Sequence, residues 1–167
     1  WHTGNYESPT GEYKYKLTTP MRFIADVGFV IKNFGFIAGA YEYANYSQSR
    51  FKANDYGFDE ENANIKSFYS ATNNFRAGTE WRYSKFSFRA GYALYASPYR
   101  NNLNDGKRQS FSGGLGFKYS SYSFDFAYVY SKMDENYYLY STETITTNPV
   151  TKSNISQNFV LTFRYQY

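Results

Sequence analysis

The sequence predicts an all-β protein and, within that class, a transmembrane antiparallel up-and-down β-barrel. Three observations predict it: apolar residues recur at every second position over seven separate stretches, the apolar residues are mostly aromatic, and short connections alternate with long ones. Period two is the signature of a strand with two unlike faces.

The stretches run in order. In 21–31 Met21, Phe23, Ala25, Val27, Phe29 and Ile31 share one face, with Arg22, Asp26 and Gly28 on the other. In 37–43 Ile37, Gly39, Tyr41 and Tyr43 oppose Ala38, Ala40 and Glu42. In 75–83 Phe75, Ala77, Thr79, Trp81 and Tyr83 oppose Arg76, Gly78, Glu80 and Arg82, and in 86–94 Phe86, Phe88, Ala90, Tyr92 and Leu94 oppose Ser87, Arg89, Gly91 and Ala93. In 111–119 Phe111, Leu115, Phe117 and Tyr119 oppose Ser112, Gly114, Gly116 and Lys118. In 122–130 every second residue is Tyr or Phe, and Ser123, Asp125, Ala127 and Val129 lie between them. In 155–167 Ile155, Phe159, Leu161, Phe163, Tyr165 and Tyr167 oppose Ser156, Asn158, Thr162, Arg164 and Gln166.

Seven stretches of about ten residues match the 9–11 that a tilted strand needs to cross a bilayer. Residues 32–35, 84–85 and 120–121 read as tight turns, whereas 50–72, 96–108 and 132–153 read as long polar loops. Outer-membrane barrels have this asymmetry, with short turns on the periplasmic side and long loops outside.

The composition separates this reading from a soluble β-sandwich, which also alternates apolar with polar residues. Aromatic residues make up 23% of the chain, with 21 Tyr and 16 Phe against 17 Ile, Val and Leu together. A sandwich core is built mainly from branched aliphatics, whereas Tyr has an apolar ring and a wet hydroxyl suited to a membrane interface. No apolar run is long enough for a transmembrane helix, and the mean hydropathy of −0.69 is as expected where only alternate residues face lipid.

If the aromatic faces meet lipid, the opposite faces line a lumen. Arg22, Asp26, Glu42, Arg76, Glu80, Arg82, Arg89, Lys118, Asp125 and Arg164 then lie inside, and the lipid-facing stretches carry no charge. Six basic and four acidic side chains in a confined space are expected to pair into a salt-bridged network. That network either holds the wall together or lines part of a ligand or ion path.

Other chemistries find little support. Without cysteine there are no disulfides and no thiolate metal sites. The net charge of +4 is scattered and gives no basic patch for nucleic acid. The single His2 supplies neither a triad nor a haem or metal site, and no nucleophile–base pair or phosphate loop is present, so no enzyme and no cofactor are expected. Asp55, Asp59, Glu60 and Glu61 form a weak calcium candidate, although their spacing departs from the EF-hand loop and a solvated acidic loop is the simpler reading.

Several stretches resemble the FadL/TodX family of outer-membrane transport proteins. "KLTTPMRF" (16–23) resembles that family's Leu-x-Thr-Pro-Trp-Arg segment, with Met21 where Trp is usual. "GFIAGAYEYANYSQSRF" (35–51), "NNFRAGTEWRY" (73–83), "FRAGYALYASPY" (88–99) and "SGGLGFKYSSYSFDFAYVY" (112–130) continue the likeness in order. The resemblance covers about 17–167 and implies the C-terminal half of a 14-stranded barrel in the bacterial outer membrane. It also implies passive passage of hydrophobic or amphipathic cargo such as long-chain fatty acids. Plug and gate residues would lie upstream of Trp1.

Two alternatives stand beside this. "EYKYKL" (12–17) could be an eighth strand of a small complete barrel, or it could extend the 21–31 strand outward past Pro20, with residues 1–20 as loop or strand extension. A barrel of this type could also be a structural subunit of a larger outer-membrane assembly, a secretion or insertion complex, with protein partners. The closing Phe163, Tyr165 and Tyr167 resemble the C-terminal signal read by the barrel assembly machinery.

Overall fold

The computed structural model describes residues 14–100, 104–137 and 149–167. Its strands are β1 (Lys16–Thr18), β2 (Arg22–Ile31), β3 (Gly35–Asn45), β4 (Arg50–Lys52), β5 (Ala71–Tyr83), β6 (Phe86–Tyr95), β7 (Arg108–Tyr119), β8 (Tyr122–Tyr137) and β9 (Val150–Tyr165), with one helix, α1 (Asp59–Phe68). Seven of them form one antiparallel sheet in the order β2-β3-β5-β6-β7-β8-β9, each strand beside its neighbour in the chain. This is the up-and-down arrangement expected from the seven alternating stretches.

The sheet is open: β2 and β9 are its edges. Closure into a barrel is therefore not present within these residues. The eight-stranded alternative fails, because Lys16–Thr18 does not join the seven-stranded sheet. It pairs instead with Arg50–Lys52, Thr18 opposite Arg50. These two short strands prolong the β2–β3 hairpin beyond Pro20 on one side and a 3-10 turn, Tyr46–Gln48, on the other. Pro20 falls in the gap between β1 and β2, where its missing N–H costs the ladder nothing.

Two of the expected loops hold more structure than their polarity suggested. Residues 50–72 contain β4 and α1. The region 132–153 is partly strand, because β8 and β9 stay paired out to Tyr137 opposite Val150. Lys132, Asp134, Glu135 and Asn136 are polar on both faces, so the periodic signal stops while the ladder continues.

Ladder register decides which residues share a face, since side chains alternate along every strand. On one face Tyr41 lies opposite Phe75, Phe86 opposite Phe117, Tyr92 opposite Phe111 and Phe124 opposite Phe163. Their ring centroids are 4.9–5.2 Å apart, within the range of favourable aromatic cross-strand pairs. This face is open: Phe29 is 66% exposed, Phe159 68% and Leu161 77%, while the sole buried apolar residue among those described is Ala44. The sheet thus lacks the dry interior that stabilises a soluble domain in water.

The three tight turns share one backbone feature. Lys32, Ser84 and Ser120 have φ of 44°, 53° and 49°, a left-handed conformation taken by residues other than glycine. Such a conformation costs a residue with a side chain about 1–2 kcal/mol. Ser120→Gly relieves that cost and loses about 0.4–1 kcal/mol through a freer unfolded chain, so a small net stabilisation is expected. The β-branched Ser120→Val is expected to destabilise by at least about 1 kcal/mol. Urea midpoints measure both, and equal midpoints for the two variants would contradict the turn argument.

Candidate functional site: the polar face of the sheet

The register carries all ten charged residues singled out from the sequence to one face. Arg22 and Asp26 on β2 share it with Glu42 on β3 through the rows Arg22–Ala44, Ile24–Glu42 and Asp26–Ala40. Glu42 lies opposite Asn74, Ala40 opposite Arg76 and Phe36 opposite Glu80. Glu80 in turn lies opposite Arg89, and Arg82 opposite Ser87. Asp125 lies opposite Gly116, Lys118 opposite Ser123, and Ser123 opposite Arg164.

Within this face the charges form a chain centred on Glu80. Its carboxylate accepts from Arg82 Nε and Arg89 Nε, both at 2.6 Å, and the residue is only 8% exposed. Arg89 then donates through Nη1 to Asp125 Oδ1, also at 2.6 Å. A second, looser group joins Arg22 Nε to Glu42 Oε1 at 3.7 Å, and Asn74 Nδ2 donates to the same oxygen at 3.2 Å. The expected network is therefore partial. Asp26, Arg76, Lys118 and Arg164 are on the face but take no part in a salt bridge among the described residues.

Arg89 and Asp125 are not on neighbouring strands. Arg89 is on β6 and Asp125 on β8, so the guanidinium must pass over β7. It crosses where β7 carries Gly114 and Gly116. A Cβ on Gly116 would sit 2.7 Å from Asp125 Oδ1 and 3.3 Å from Arg89 Nη1, and one on Gly114 would lie 3.5 Å from Arg89 Cβ. The absence of a Cβ at Gly114 and Gly116 is thus the physical condition for the ion pair. In the sequence, Gly113, Gly114 and Gly116 inside a strand lead one to expect close packing or a bend; close packing is found over Gly114 and Gly116, and what packs there depends on register.

Small residues leave a hollow of about 940 Å³ on the same face. Its floor includes Gly28, Ala38, Ala40, Gly91 and Ser112, and Asp26, Arg76, Glu80 and Arg89 stand around it. Arg108, read from sequence as the end of a loop, also lines it. The guanidinium lies over the Tyr95 ring, 4.3 Å from the centroid, in cation–π contact. The apolar rhythm stops at Phe111, since Gln109 is polar, and it is the ladder, running back to Arg108 opposite Tyr95, that places Arg108 on the polar face.

The long-connection end is organised by side chain to backbone bonds. Asn62 on α1 accepts from Phe51 N at 2.8 Å and donates to Phe51 O at 3.0 Å, fastening the helix to β4. Tyr69 forms a bridge with Tyr99, and Ser70 N donates to Pro98 O at 2.8 Å, joining two of the long connections. The calcium candidates lie here: Asp59, Glu60 and Glu61 occupy the first turn of α1, where negative charge suits the helix dipole. Tyr56 donates to Glu61 at 3.0 Å, and the carboxylate holds the phenol proton, raising its pKa above the usual tyrosine range. Among the described residues no three acidic or histidine side chains come together as a metal site, so Asp55, Asp59, Glu60 and Glu61 do not assemble into one.

Phe163 and Tyr165 belong to the aromatic face, packed on Phe124 and Tyr122, while Tyr167 projects beyond the end of β9. His2 lies outside the described residues. No family model matches this chain, and neither does any curated protein or solved structure.

The glycine crossing yields a double-mutant test. Gly116→Ala is expected to cost about 1–3 kcal/mol, and the share due to the Asp125 carboxylate, 2.7 Å from the added Cβ, should vanish in an Asp125→Ala background. A coupling of about 0.5–3 kcal/mol by denaturant titration agrees with the crossing; additive costs would refute it.

Proposed function

We propose that this chain forms part of an outer-membrane β-barrel that lets hydrophobic or amphipathic small molecules, such as long-chain fatty acids, cross without energy input. One observation carries the membrane part. Between Tyr122 and Tyr130 on β8, and across its neighbours to β2, one face holds aromatic, aliphatic and small residues without a charge, while the other collects the ten charged side chains. A Lys or Arg facing lipid at the midplane costs about 2–4 kcal/mol, so this segregation is what a bilayer selects. Lys132 and Asp134 enter the aromatic side only beyond Tyr130, where β8 would leave the hydrocarbon, and they pair with each other at 3.1 Å.

The transport part rests on the resemblance to the FadL/TodX family and on the hollow along the polar face, which suits a route lined by small residues. The open edges β2 and β9 would leave backbone groups unsatisfied in lipid, which is very costly. Further strands must therefore cover both edges, and their number is odd if the finished barrel has an even count.

Those same edges favour a second reading, a barrel subunit completed by protein partners in a larger outer-membrane assembly. Purification under native conditions separates the two. A stoichiometric partner with a sealed lumen supports the assembly role, and a lone barrel holding lipid or detergent supports transport.

Trp81 reports on the membrane directly. In a Trp1→Phe variant it is the one tryptophan of the 167 residues; it lies opposite Gly35 beside the short turns, so acyl chains brominated near their headgroup end are expected to quench its emission while aqueous iodide does not. The reverse pattern would remove the barrel reading. For transport, cells with and without the intact protein should differ in uptake of fatty acids or aromatic hydrocarbons; equal uptake across such a panel would exclude that role.

A further inference from the structure

We infer that the short-turn end of the polar face is a binding basin for small oxyanions, phosphate or carboxylate. The inference rests on the reading of this face as a water-filled lumen. A hollow of about 500 Å³ lies here, separate from the larger one toward the middle of the strands. Arg82, Arg89, Lys118 and Arg164 line it against two carboxylates, Glu80 and Asp125; the Lys85 ammonium at the β5–β6 turn lies instead over the Tyr119 ring, 3.9 Å from its centroid.

The two carboxylates are already committed. Glu80 is shared by Arg82 and Arg89, and Asp125 holds the other side of Arg89. Lys118 and Arg164 have no salt-bridge partner among the described residues. Register places them on either side of Ser123, in the row Lys118–Ser123–Arg164. With adjacent strands about 4.8 Å apart, their Cα atoms are separated by roughly 10 Å, so both long side chains can reach one ion above Ser123.

Two like charges held on one row repel, and a bound anion reverses the sign of that interaction. A guanidinium matches carboxylate and phosphate oxygens in paired hydrogen bonds, an ammonium adds a point charge, and the Ser123 hydroxyl adds a donor. Low-dielectric walls around an excess of one sign focus the field and raise the local concentration of counter-ions. The consequence is a basin that attracts anions at the end of the lumen opposite the long connections.

The chain has no cysteine, so Ser123→Cys introduces a single thiol into it. In the intact protein in liposomes, this thiol is expected to react with a sulfonate-bearing methanethiosulfonate at least about tenfold faster, relative to a trimethylammonium-bearing one, than a free thiol does. Lys118→Gln with Arg164→Gln should abolish the bias, and inorganic phosphate or acetate should slow the sulfonate reagent. Slowing by phosphate alone or by acetate alone identifies which oxyanion is held.

A thiol without charge preference, slowing by neither anion, or no reaction with either reagent overturns the proposal; the last would mean that protein fills the basin. Phe124→Cys, one residue along on the aromatic face, keeps this failure distinct. If Phe124→Cys stays protected from both aqueous reagents, the barrel reading survives the loss of the basin. If it reacts as fast as Ser123→Cys, the barrel reading fails.

Discussion

The continuous antiparallel ladder from β2 to β9 is the constraint on which everything else depends. Because the side-chain period is two, a slip of one residue between any two strands would exchange the faces of all strands beyond it. The register avoids this at six successive pairings. Aromatic pairs such as Tyr92–Phe111 and Phe124–Phe163 hold one face, and the Glu80–Arg89 pair holds the other. A one-residue shift would set Glu80 among rings and leave Arg89 without its carboxylate partner. Both errors are costly, so the two faces specify the register together.

The charged chain adds a coupling that the ladder alone lacks. Hydrogen bonds of a sheet join only neighbouring strands, whereas Arg82–Glu80–Arg89–Asp125 links β5, β6 and β8 and spans β7. Partly exposed ion pairs each contribute little, but here they share one mostly buried carboxylate and one fixed arginine. The side-chain entropy lost in positioning Arg89 is therefore spread over two contacts. Gly114 and Gly116 make this geometry possible by keeping β7 low beneath the guanidinium.

Much of the fold could be read from the sequence because alternation encodes it directly. Faces, strand number and tight turns follow from residues such as Phe86–Phe88 and Tyr122–Tyr130, where each ring marks a parity. Legibility ended where both faces are polar. The β8–β9 ladder beyond Tyr130 and the helix at Asp59–Phe68 have no apolar rhythm to reveal them. Lys16–Thr18 was ambiguous for another reason: its parity fits both an extension of β2 and a separate strand, and only its pairing with Arg50–Lys52 decides. In the candidate site, the identity of the polar face was legible, but its pairing was not. Which of six bases meets which of four acids depends on strand neighbours and on gaps such as Gly116, properties of two dimensions that one-dimensional spacing does not contain.

The distribution of paired and unpaired charge then carries a functional consequence. Had the polar face been only structural, its bases and acids would be expected to neutralise one another throughout. Instead the acids are concentrated on Arg22, Arg82 and Arg89, and Lys118 and Arg164 are left at the short-turn end. On the β2 side Asp26 and Arg76 share a row with Ala40 between them, so their charges balance across one strand even without contact. No acid occupies the corresponding place between Lys118 and Arg164, where Ser123 stands. The polar face is thus close to neutral around its central hollow and positive at one end. If this face lines the route proposed above, that polarity would offer an apolar or zwitterionic molecule little resistance along most of its length and would retain an anionic group at its end.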